Sequence, residues 1–237
     1  MGKKINCKII VSKNGPYLVS GRVPLDKQII KIGVDGEPAE WGQGKRYSQQ
    51  QEYALCRCGQ SKHKPYCDGT HAKARFNGAK TASKKEYLTQ AQKIKGPGMD
   101  LTDAEALCSS ARFCHRKGGT WRLTEASDNQ KLKSIAIQEA CDCPSGRLVA
   151  WDKKTKKPIE LKFKPAISLV EDPQAKASGP IWVKGGVPVE SQEGFKYEIR
   201  NRITLCRCGQ SRNKPFCDGN HIKVKFNDGD ISLKGGR

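Results

Sequence analysis

Two stretches of the sequence carry the same metal-binding residue types at the same spacing. "CRCGQSKHKPYCDGTH" (56–71) and "CRCGQSRNKPFCDGNH" (206–221) each contain three cysteines and end in a histidine. Cysteine thiolates and histidine imidazoles are ligands for zinc and for iron in iron–sulfur clusters. The repeated pattern therefore predicts two metal centres with four protein ligands each.

The spacing within each motif can bring the four ligands together. Cys56 and Cys58 leave a strand-like run, and an eight-residue loop stiffened by Pro65 returns the chain to Cys67. Cys67 and His71 are four residues apart, so one helical turn places their side chains on the same face. The ligands predicted in the second motif are Cys206, Cys208, Cys217 and His221.

The donor set by itself leaves three kinds of site open. A Cys3His zinc site is the usual structural site for these donors, although zinc-binding cysteine pairs are normally further apart than Cys-x-Cys. An iron–sulfur cluster also accepts histidine in place of cysteine, and the exchange raises its reduction potential. A disulfide is the third possibility, which a reducing compartment disfavours. These arguments do not separate zinc from an iron–sulfur cluster.

The composition favours a globular protein that is not held in a membrane. The chain has 237 residues, of which 36% are hydrophobic, and no run approaches the roughly 18 apolar residues of a membrane span. The apolar run near the N-terminus is too short for a signal peptide, so we expect a cytoplasmic protein. The net charge is +20, but the lysines are scattered, which favours a well-solvated surface over a nucleic-acid interface.

A larger repeat surrounds the two motifs. "NGPYLVSGRVPL" (14–25) and "SGPIWVKGGVPV" (178–189) share Gly-Pro, an apolar run and Val-Pro, and each precedes one motif. The interval from Leu25 to Cys56 exceeds that from Val189 to Cys206 by 14 residues, which we predict to be a loop. The predicted organisation is a first unit at 1–78, a linker at 79–97, an insert at 98–158 and a second unit at 159–237.

The patterns predict a mixed, mainly β fold with a small α+β insert. Short runs rich in Val, Ile, Tyr and Leu and bounded by Gly and Pro are typical of strands in both units. In the insert, Thr102 followed by Glu105 predicts the N-terminus of one helix, and Ser127 followed by Gln130 predicts a second. The segment 147–163 is typical of a hairpin around a polar turn.

The two motifs closely resemble the signature of the CDGSH iron–sulfur domain family, to which mitoNEET belongs. That signature has Cys-x-Cys, a Ser or Thr, a Pro and then Cys-Asp-Gly-(Ser/Ala/Thr)-His. The first motif fits it throughout, and the second departs only at Asn220, which is no ligand. The resemblance implies one [2Fe–2S] cluster per motif. The implied ligand pairs are Cys56 with Cys58, Cys67 with His71, Cys206 with Cys208, and Cys217 with His221.

This resemblance also implies how the two units are assembled. Family members are commonly dimers with two clusters in a joint fold, whereas this chain carries both copies itself. We therefore expect a monomer that folds as an internal pseudo-dimer with an approximate two-fold axis. The expected role is electron transfer or redox and pH sensing with an unidentified redox protein as partner. Cluster transfer or storage, and a zinc module that binds RNA or protein, are the alternatives.

The insert has a second group of cysteines, in "LCSSARFC" and "ACDCPSGRL". Cys108 and Cys114 are six apart, and Cys143 is followed by a proline, as is the last ligand of a ferredoxin run. These features resemble a shortened single-cluster 4Fe-4S ferredoxin-like domain, although the usual Cys-x2-Cys-x2-Cys run is missing. A third cluster at Cys108, Cys114 and Cys143 is therefore a possibility, with Cys141 beside it.

The surroundings of the motifs predict two properties of the sites. Cations such as Arg57 and Arg207 flank the ligands and should raise the reduction potential. An imidazole ligand can be protonated near neutral pH, so His71 and His221 are candidates for coupling electron transfer to protons. No Ser-His-Asp set, paired carboxylates or phosphate loop is found, so we predict no catalytic residue and no enzyme.

Overall fold

The computed structural model describes residues 7–234. The first six and last three residues, which the predicted units 1–78 and 159–237 include, lie outside the described part. Within 7–234 no helix is both long and apolar enough to cross a membrane.

Strands dominate the described chain, and its helices are short. The first part contains β1 (Lys8–Val11), β2 (Tyr17–Ser20), β3 (Leu25–Ile32), β4 (Pro38–Arg46), β5 (Glu52–Leu55) and α1 (Thr70–Lys73). The middle contains α2 (Tyr87–Gln90), β6 (Gln92–Lys95), β7 (Met99–Asp103), α3 (Thr120–Glu125), α4 (Gln130–Asp142), β8 (Leu148–Asp152) and β9 (Pro158–Ile159). The last part contains β10 (Ala166–Asp172), β11 (Ala177–Lys184), β12 (Val189–Ser191), β13 (Arg202–Leu205) and α5 (Asn220–Lys223). Short 3-10 turns lie at Glu105–Leu107, Phe113–Gly118 and Ile231–Leu233.

The two repeated units exchange a strand. One sheet has the order β12-β1-β2-β5 and the other β13-β11-β10-β3-β4, so the first contains β12 of the second unit and the second contains β3, with β4 beside it, of the first unit. The exchanged strands pair in parallel, with Ile9 beside Val189 and Ile167 beside Leu25. Because the same exchange occurs in both directions, the two units are related by an approximate two-fold axis, and neither sheet is complete without the other unit.

One hydrophobic core joins the two sheets. Alternate residues of the strands point inward, as the two-residue period of a strand requires. The first sheet contributes Ile9, Val11, Tyr17 and Val19, and the second contributes Ile167, Leu169, Ile181 and Val183, all of them buried. This shared core confirms the mainly β fold that the composition predicted.

The insert is a separate layer of sheet and helix that packs on the second unit. Its sheet has the order β6-β7-β8-β9, and residues such as Leu101 and Leu148 pack beneath α3 and α4. Arg202 of β13 is fully buried and donates hydrogen bonds to the carbonyl oxygens of Ala140, Cys141 and Cys143 at 2.7–2.8 Å. This one guanidinium satisfies the C-terminal carbonyls of α4 and ties the insert to the second unit.

Two local predictions in the insert need correction. The helix expected from Thr102 is wrong: Thr102 lies in β7, the buried strand between β6 and β8. Further along, Ser110 and Arg112 have φ angles of 57° and 64°, which interrupt any helix. The second helix is confirmed as α4, but its N-cap is Asn129, whose side chain accepts hydrogen bonds from the backbone amides of Lys131 and Leu132. The Ser127 hydroxyl, which was expected to cap the helix, accepts hydrogen bonds from the Gly98 and Met99 amides.

Two connecting segments are also more regular than expected. The 14 additional residues of the first unit were expected to form a loop, but they include β4, which pairs with β3 at the edge of the second sheet. The linker predicted at 79–97 contains α2 and β6, and its Thr81 amide and hydroxyl bond the carbonyls of Lys214 and Arg212. The predicted hairpin at 147–163 is confirmed by the pairing of β8 with β9. The outer boundaries of the four predicted segments stay a prediction.

Replacing Glu139 by Gln should change how the stability of the insert depends on pH. Glu139 is buried against the Thr120 hydroxyl, and burial raises its pKa to about 7 from a usual 4.5. The folded chain therefore keeps a proton that the unfolded chain releases, and stability should fall as pH rises from about 4.5 to about 7, by up to about 3 kcal/mol.

The variant Glu139→Gln keeps the acceptor for Thr120 and cannot ionise, so this fall should disappear. Urea unfolding followed by tryptophan fluorescence at several pH values measures it, with Glu125→Gln at an exposed position of α3 as the control for a lost surface charge. Parallel curves for wild type and Glu139→Gln would contradict the prediction.

Candidate metal centres

In each motif the four predicted ligands form two close pairs. The Sγ atoms of Cys56 and Cys58 are 3.8 Å apart, and the Cys67 Sγ is 3.3 Å from Nδ1 of His71. The second motif repeats these distances, with 3.7 Å between Cys206 and Cys208 and 3.4 Å between Cys217 and Nδ1 of His221. Each pair can therefore bind one metal ion, and Nδ1 is the nitrogen that faces it.

The two pairs do not merge into one tetrahedral site. Zinc lies about 2.3 Å from a thiolate and about 2.0 Å from an imidazole nitrogen, so the four ligands of one zinc ion all lie within about 4 Å of one another. Within residues 7–234, one set of three potential ligands has its ligand atoms all within 4.8 Å of one another, the carboxylates of Glu171, Asp228 and Asp230. The cysteines and histidine of a motif do not form such a set. Each motif therefore offers two two-ligand positions, as a binuclear centre requires.

Backbone pairing at the end of a strand holds the loop between the cysteines. After β5, the Cys56 amide donates to the Pro65 carbonyl at 2.8 Å, and the Cys67 amide donates to the Ala54 carbonyl at 2.9 Å. The Ser61 hydroxyl closes the loop from inside by donating to Tyr66 at 2.6 Å. Cys206, Cys217 and Ser211 make the same contacts after β13. The loop therefore returns each second pair of ligands beside the first.

The aspartate of each motif ties the loop to the helical turn that carries the histidine. Asp68 accepts hydrogen bonds from the Lys62 amide at 2.7 Å and the Thr70 amide at 3.0 Å, which hold its pKa well below the usual range. Asp218 makes the equivalent bonds to Arg212 and Asn220. Asn220, where the second motif departs from the signature, also donates its side-chain amide to Asp218. The departure therefore strengthens the same link.

Three of the ligand thiols, Cys58, Cys208 and Cys217, are hard to ionise without a metal. Burial raises the pKa of Cys58 to about 11 and holds that of Cys217 well above its ordinary value. Cys206 and Cys208 share a hydrogen bond that lowers the pKa of the first thiol and raises that of the second. Because metals bind the thiolate form, loading these sites must release protons.

The two motif loops are in direct contact. The Tyr17 hydroxyl, from the first unit, donates to the Cys206 and Pro215 carbonyls of the second motif at 2.8 and 3.1 Å. Gly59 and Gly209 have φ angles of 77° and 79°, and a methyl group on either would lie within 2.7 Å of the carbonyl oxygen of the cysteine in the other motif. The Cys58 and Cys208 positions therefore face each other across the two-fold axis.

The buried arginine between the cysteine ligands has different partners in the two motifs. Among residues 7–234, the hydrogen-bond partners of Arg57 are the carbonyl oxygens of Ser12 and Gly78, and its guanidinium lies 5.2 Å from the centre of the Phe76 ring. Arg207 forms ion pairs with Glu171 at 2.9 Å and Asp228 at 2.5 Å. Lys27 joins the same carboxylates and Asp230. In the described part of the chain no carboxylate pairs with Arg57, so its charge is uncompensated there, whereas that of Arg207 is balanced.

The histidines also differ in their surroundings. His221 is 3% exposed, and the insert lies close to the turn that carries it, since a methyl group on Gly219 would lie 2.3 Å from the Ser110 hydroxyl. His71 is partly exposed, and nothing in the described chain lies within 4 Å of where a methyl group on the equivalent Gly69 would stand. The other two histidines do not join the sites: His63 points to Asp68 at 3.8 Å, and His115 lies against Trp121.

Three of the insert cysteines line one small pocket. Cys108 and Cys114 enter it from the loop after β7, and Cys143 enters it from the end of α4. Burial, helped by the neighbouring thiolates Cys143 and Cys108, raises the pKa of Cys114 to about 12. Cys141 faces away, with its thiol directed to the Ile159 carbonyl at 3.5 Å. The structure thus brings together the three residues that the sequence proposed and leaves Cys141 out.

Sequence reasoning missed the carboxylates behind Arg207. The repeat held a signal, because "FNG" at 76–78 aligns with "FND" at 226–228, so Gly78 stands where the second unit has Asp228. Glu171, on β10, could not have been found in this way. Its contact with Arg207 depends on the packing of the second sheet.

Two known families match the parts of the chain that contain these cysteines. The family described as iron-binding zinc finger CDGSH type matches residues 14–72 and again 178–222. The family described as divergent 4Fe-4S mono-cluster matches residues 94–153, between them. No curated protein and no solved structure matches the chain significantly.

Adding a methyl group at the contact of the two loops should destabilise the protein more than adding one beside His71. Gly59→Ala and Gly69→Ala both place alanine at a left-handed φ, 77° and 84°, so both should lose roughly 1–2 kcal/mol to backbone strain. Only at Gly59 would the new methyl collide with the Cys208 carbonyl oxygen, 2.7 Å away, whereas Gly69 faces open space.

Overpacking of this kind costs about 1–3 kcal/mol more. Urea unfolding midpoints of the two variants, purified side by side, measure the difference. Equal loss in both would show that the two loops are not in contact.

Proposed function

The chain is a tandem CDGSH iron–sulfur protein, and from this premise we propose that it carries electrons between two [2Fe–2S] clusters, one in each motif. Three thiolates and one imidazole would hold each cluster: Cys56, Cys58, Cys67 and His71 in the first motif, and Cys206, Cys208, Cys217 and His221 in the second. A bound cluster of this type supplies a centre that takes up and releases one electron.

The pairing of the ligand atoms is the observation that carries the proposal. Separations of 3.3–3.8 Å within each pair suit two donors on one iron, while the spacing between pairs is too large for a single shared ion. The family matches support iron–sulfur chemistry at both motifs. The geometry thus favours the binuclear iron site over the zinc site that the donor types alone left open.

The placement of the loops supports electron transfer within one chain. Cys58 and Cys208 lie on loops that touch across the two-fold axis, and Cys56, Cys58, Cys206 and Cys208 are all buried. Burial excludes water from the metal and keeps the ligands fixed, which suits a carrier. We propose no enzymatic role, because an iron with two protein ligands and two cluster sulfides would have four ligands and no open coordination position.

The strand exchange supports a monomeric carrier. Both sheets are completed by strands of the same chain, so no second copy is needed to assemble either site. The partner would be a redox protein that approaches the first motif, where His71 is partly exposed, since His221 is covered. No nucleic acid or membrane is needed for this role.

We propose further that the insert holds a third iron–sulfur cluster at Cys108, Cys114 and Cys143. The three thiols line one pocket, and within residues 7–234 they do not come close enough together for a single ion. Arg147, which is held by Asp103 at 2.6 Å, lies beside Cys108 and would compensate thiolate charge. The match to a 4Fe-4S family over 94–153 supports the same conclusion.

Metal analysis tests the ligand assignment. The protein should be red-brown and contain at least about four irons and four acid-labile sulfides per chain, two of each per motif. Cys56→Ala and Cys206→Ala should each lose about two irons, and Cys7→Ala, which removes a thiol outside the motifs, should lose none. A colourless protein with two zinc ions would disprove the proposal.

The different partners of the two arginines should give the sites different reduction potentials. Uncompensated positive charge at Arg57 favours the reduced form of the first site, so its potential should be the higher of the two. Asp228→Asn removes one negative charge beside the second site and should raise the lower potential by on the order of tens of millivolts, leaving the higher one unchanged.

Redox titration followed by visible absorption measures both potentials. Asp152→Asn, which removes the same charge from the turn between β8 and β9, is the control and should move neither. A single potential for both sites in wild type, unaffected by Asp228→Asn, would contradict the prediction.

A further inference from the structure

The third cysteine group lacks one ligand at a definite place. A ferredoxin run places cysteines at intervals of three residues, Cys-x2-Cys-x2-Cys, with a further Cys-Pro. Cys108 and Cys114 occupy the first and third places of such a run, and Cys143 before Pro144 supplies the Cys-Pro. The middle place is taken by Ala111, which lines the same pocket as the three thiols. A methyl group cannot bind iron.

None of the nearby donors replaces the missing thiol. Cys141 points to the Ile159 carbonyl, and His115 lies against Trp121, so neither lines the pocket. The remaining polar side chains of the pocket are serine hydroxyls and the guanidinium groups of Arg112 and Arg147. Arg112 is itself paired with Asp172 at 2.6 Å. The pocket therefore offers three strong iron ligands.

A four-iron cluster bound here would place its fourth iron beside Ala111, so the packing around Ala111 decides whether that iron can be held. Ala111 is 8% exposed and belongs to a hydrophobic cluster with Phe113, Val170 and Trp182. The Trp182 ring in turn lies 4.8 Å from that of Trp41. An iron at this corner would need water or hydroxide as its outer ligand, and the apolar side chains packed with Ala111 offer such a ligand no hydrogen-bond partner. The site therefore disfavours a fourth iron.

We infer that the insert holds a three-iron [3Fe–4S] cluster, bound by Cys108, Cys114 and Cys143, with Ala111 beside the corner that lacks iron. This inference rests on the third cluster of the proposed function and specifies its iron content. Each of the three irons would take one thiolate, and the three thiolates would complete the tetrahedral coordination of all irons present. Ala111 is then the residue that determines the cluster type.

Electron paramagnetic resonance of the whole chain tests this directly. Oxidised [2Fe–2S] and [4Fe–4S] clusters have no net spin and give no signal, whereas an oxidised [3Fe–4S] cluster has an unpaired electron and gives one. The protein is purified without oxygen, so that a four-iron cluster cannot be degraded to three, and is then oxidised under argon. We expect one oxidised-state signal and about seven irons with about eight sulfides per chain, about four of each belonging to the two motifs.

Substitutions assign the signal. Cys108→Ala should abolish it and remove about three irons, while the absorption of the two motifs stays. Ala111→Cys supplies the fourth thiolate, so the oxidised signal should be lost and iron should rise by about one. Cys141→Ala and Ser109→Ala are the matched controls, which remove a thiol and a hydroxyl from the same segment and should leave the signal unchanged.

The wild-type protein alone can overturn the inference, whether or not Ala111→Cys folds. A silent oxidised protein with about eight irons would mean a four-iron cluster despite the missing thiol, and only this inference would fail. A silent protein with about four irons would mean that the insert binds no cluster, and the third site of the proposed function would fail with it. Mössbauer spectra of the same samples separate these two results.

Discussion

The parallel pairing of β1 with β12 and of β3 with β10 is the constraint on which the rest of the structure depends. Parallel neighbours cannot be joined by a tight turn, so these pairs form only when distant parts of the chain come together. Each sheet then provides one wall of the shared core. Because the strands before both motifs, β5 and β13, belong to these sheets, the metal loops reach their final positions only when both units are folded.

That constraint explains why the two metal loops touch. β5 pairs with β2 and β13 with β11, so both motifs start from equivalent places in the two sheets. Tyr17 then reaches across to the carbonyls of Cys206 and Pro215, and the glycines after Cys58 and Cys208 leave room for the opposing backbone. The geometry of one site therefore depends on the folding of the other unit, although the ligands are local in sequence.

The sequence predicted what is local and missed what depends on distant packing. The spacing of Cys67 and His71 places both on one helical turn, and the structure has their ligand atoms 3.3 Å apart. The residue pattern around Thr102 fits a helix as well as a strand. In the structure this segment is buried between β6 and β8 and forms the strand β7. The edge strand β4 is rich in glycine and polar residues, so nothing in its composition indicated a strand. The exchange of strands leaves no trace in any single segment.

The two copies differ in what lies beyond the ligands. The distances within the ligand pairs agree to about 0.1 Å between the motifs, because equivalent backbone hydrogen bonds shape both loops. The arginine behind the ligands is under no such restriction. The second unit has Asp228 where the first has Gly78, and this carboxylate pairs with Arg207, while Ser110 of the insert lies against the turn that carries His221. The charge around the ligands and the access to them can therefore differ between the two motifs while the spacing of the ligand atoms is preserved.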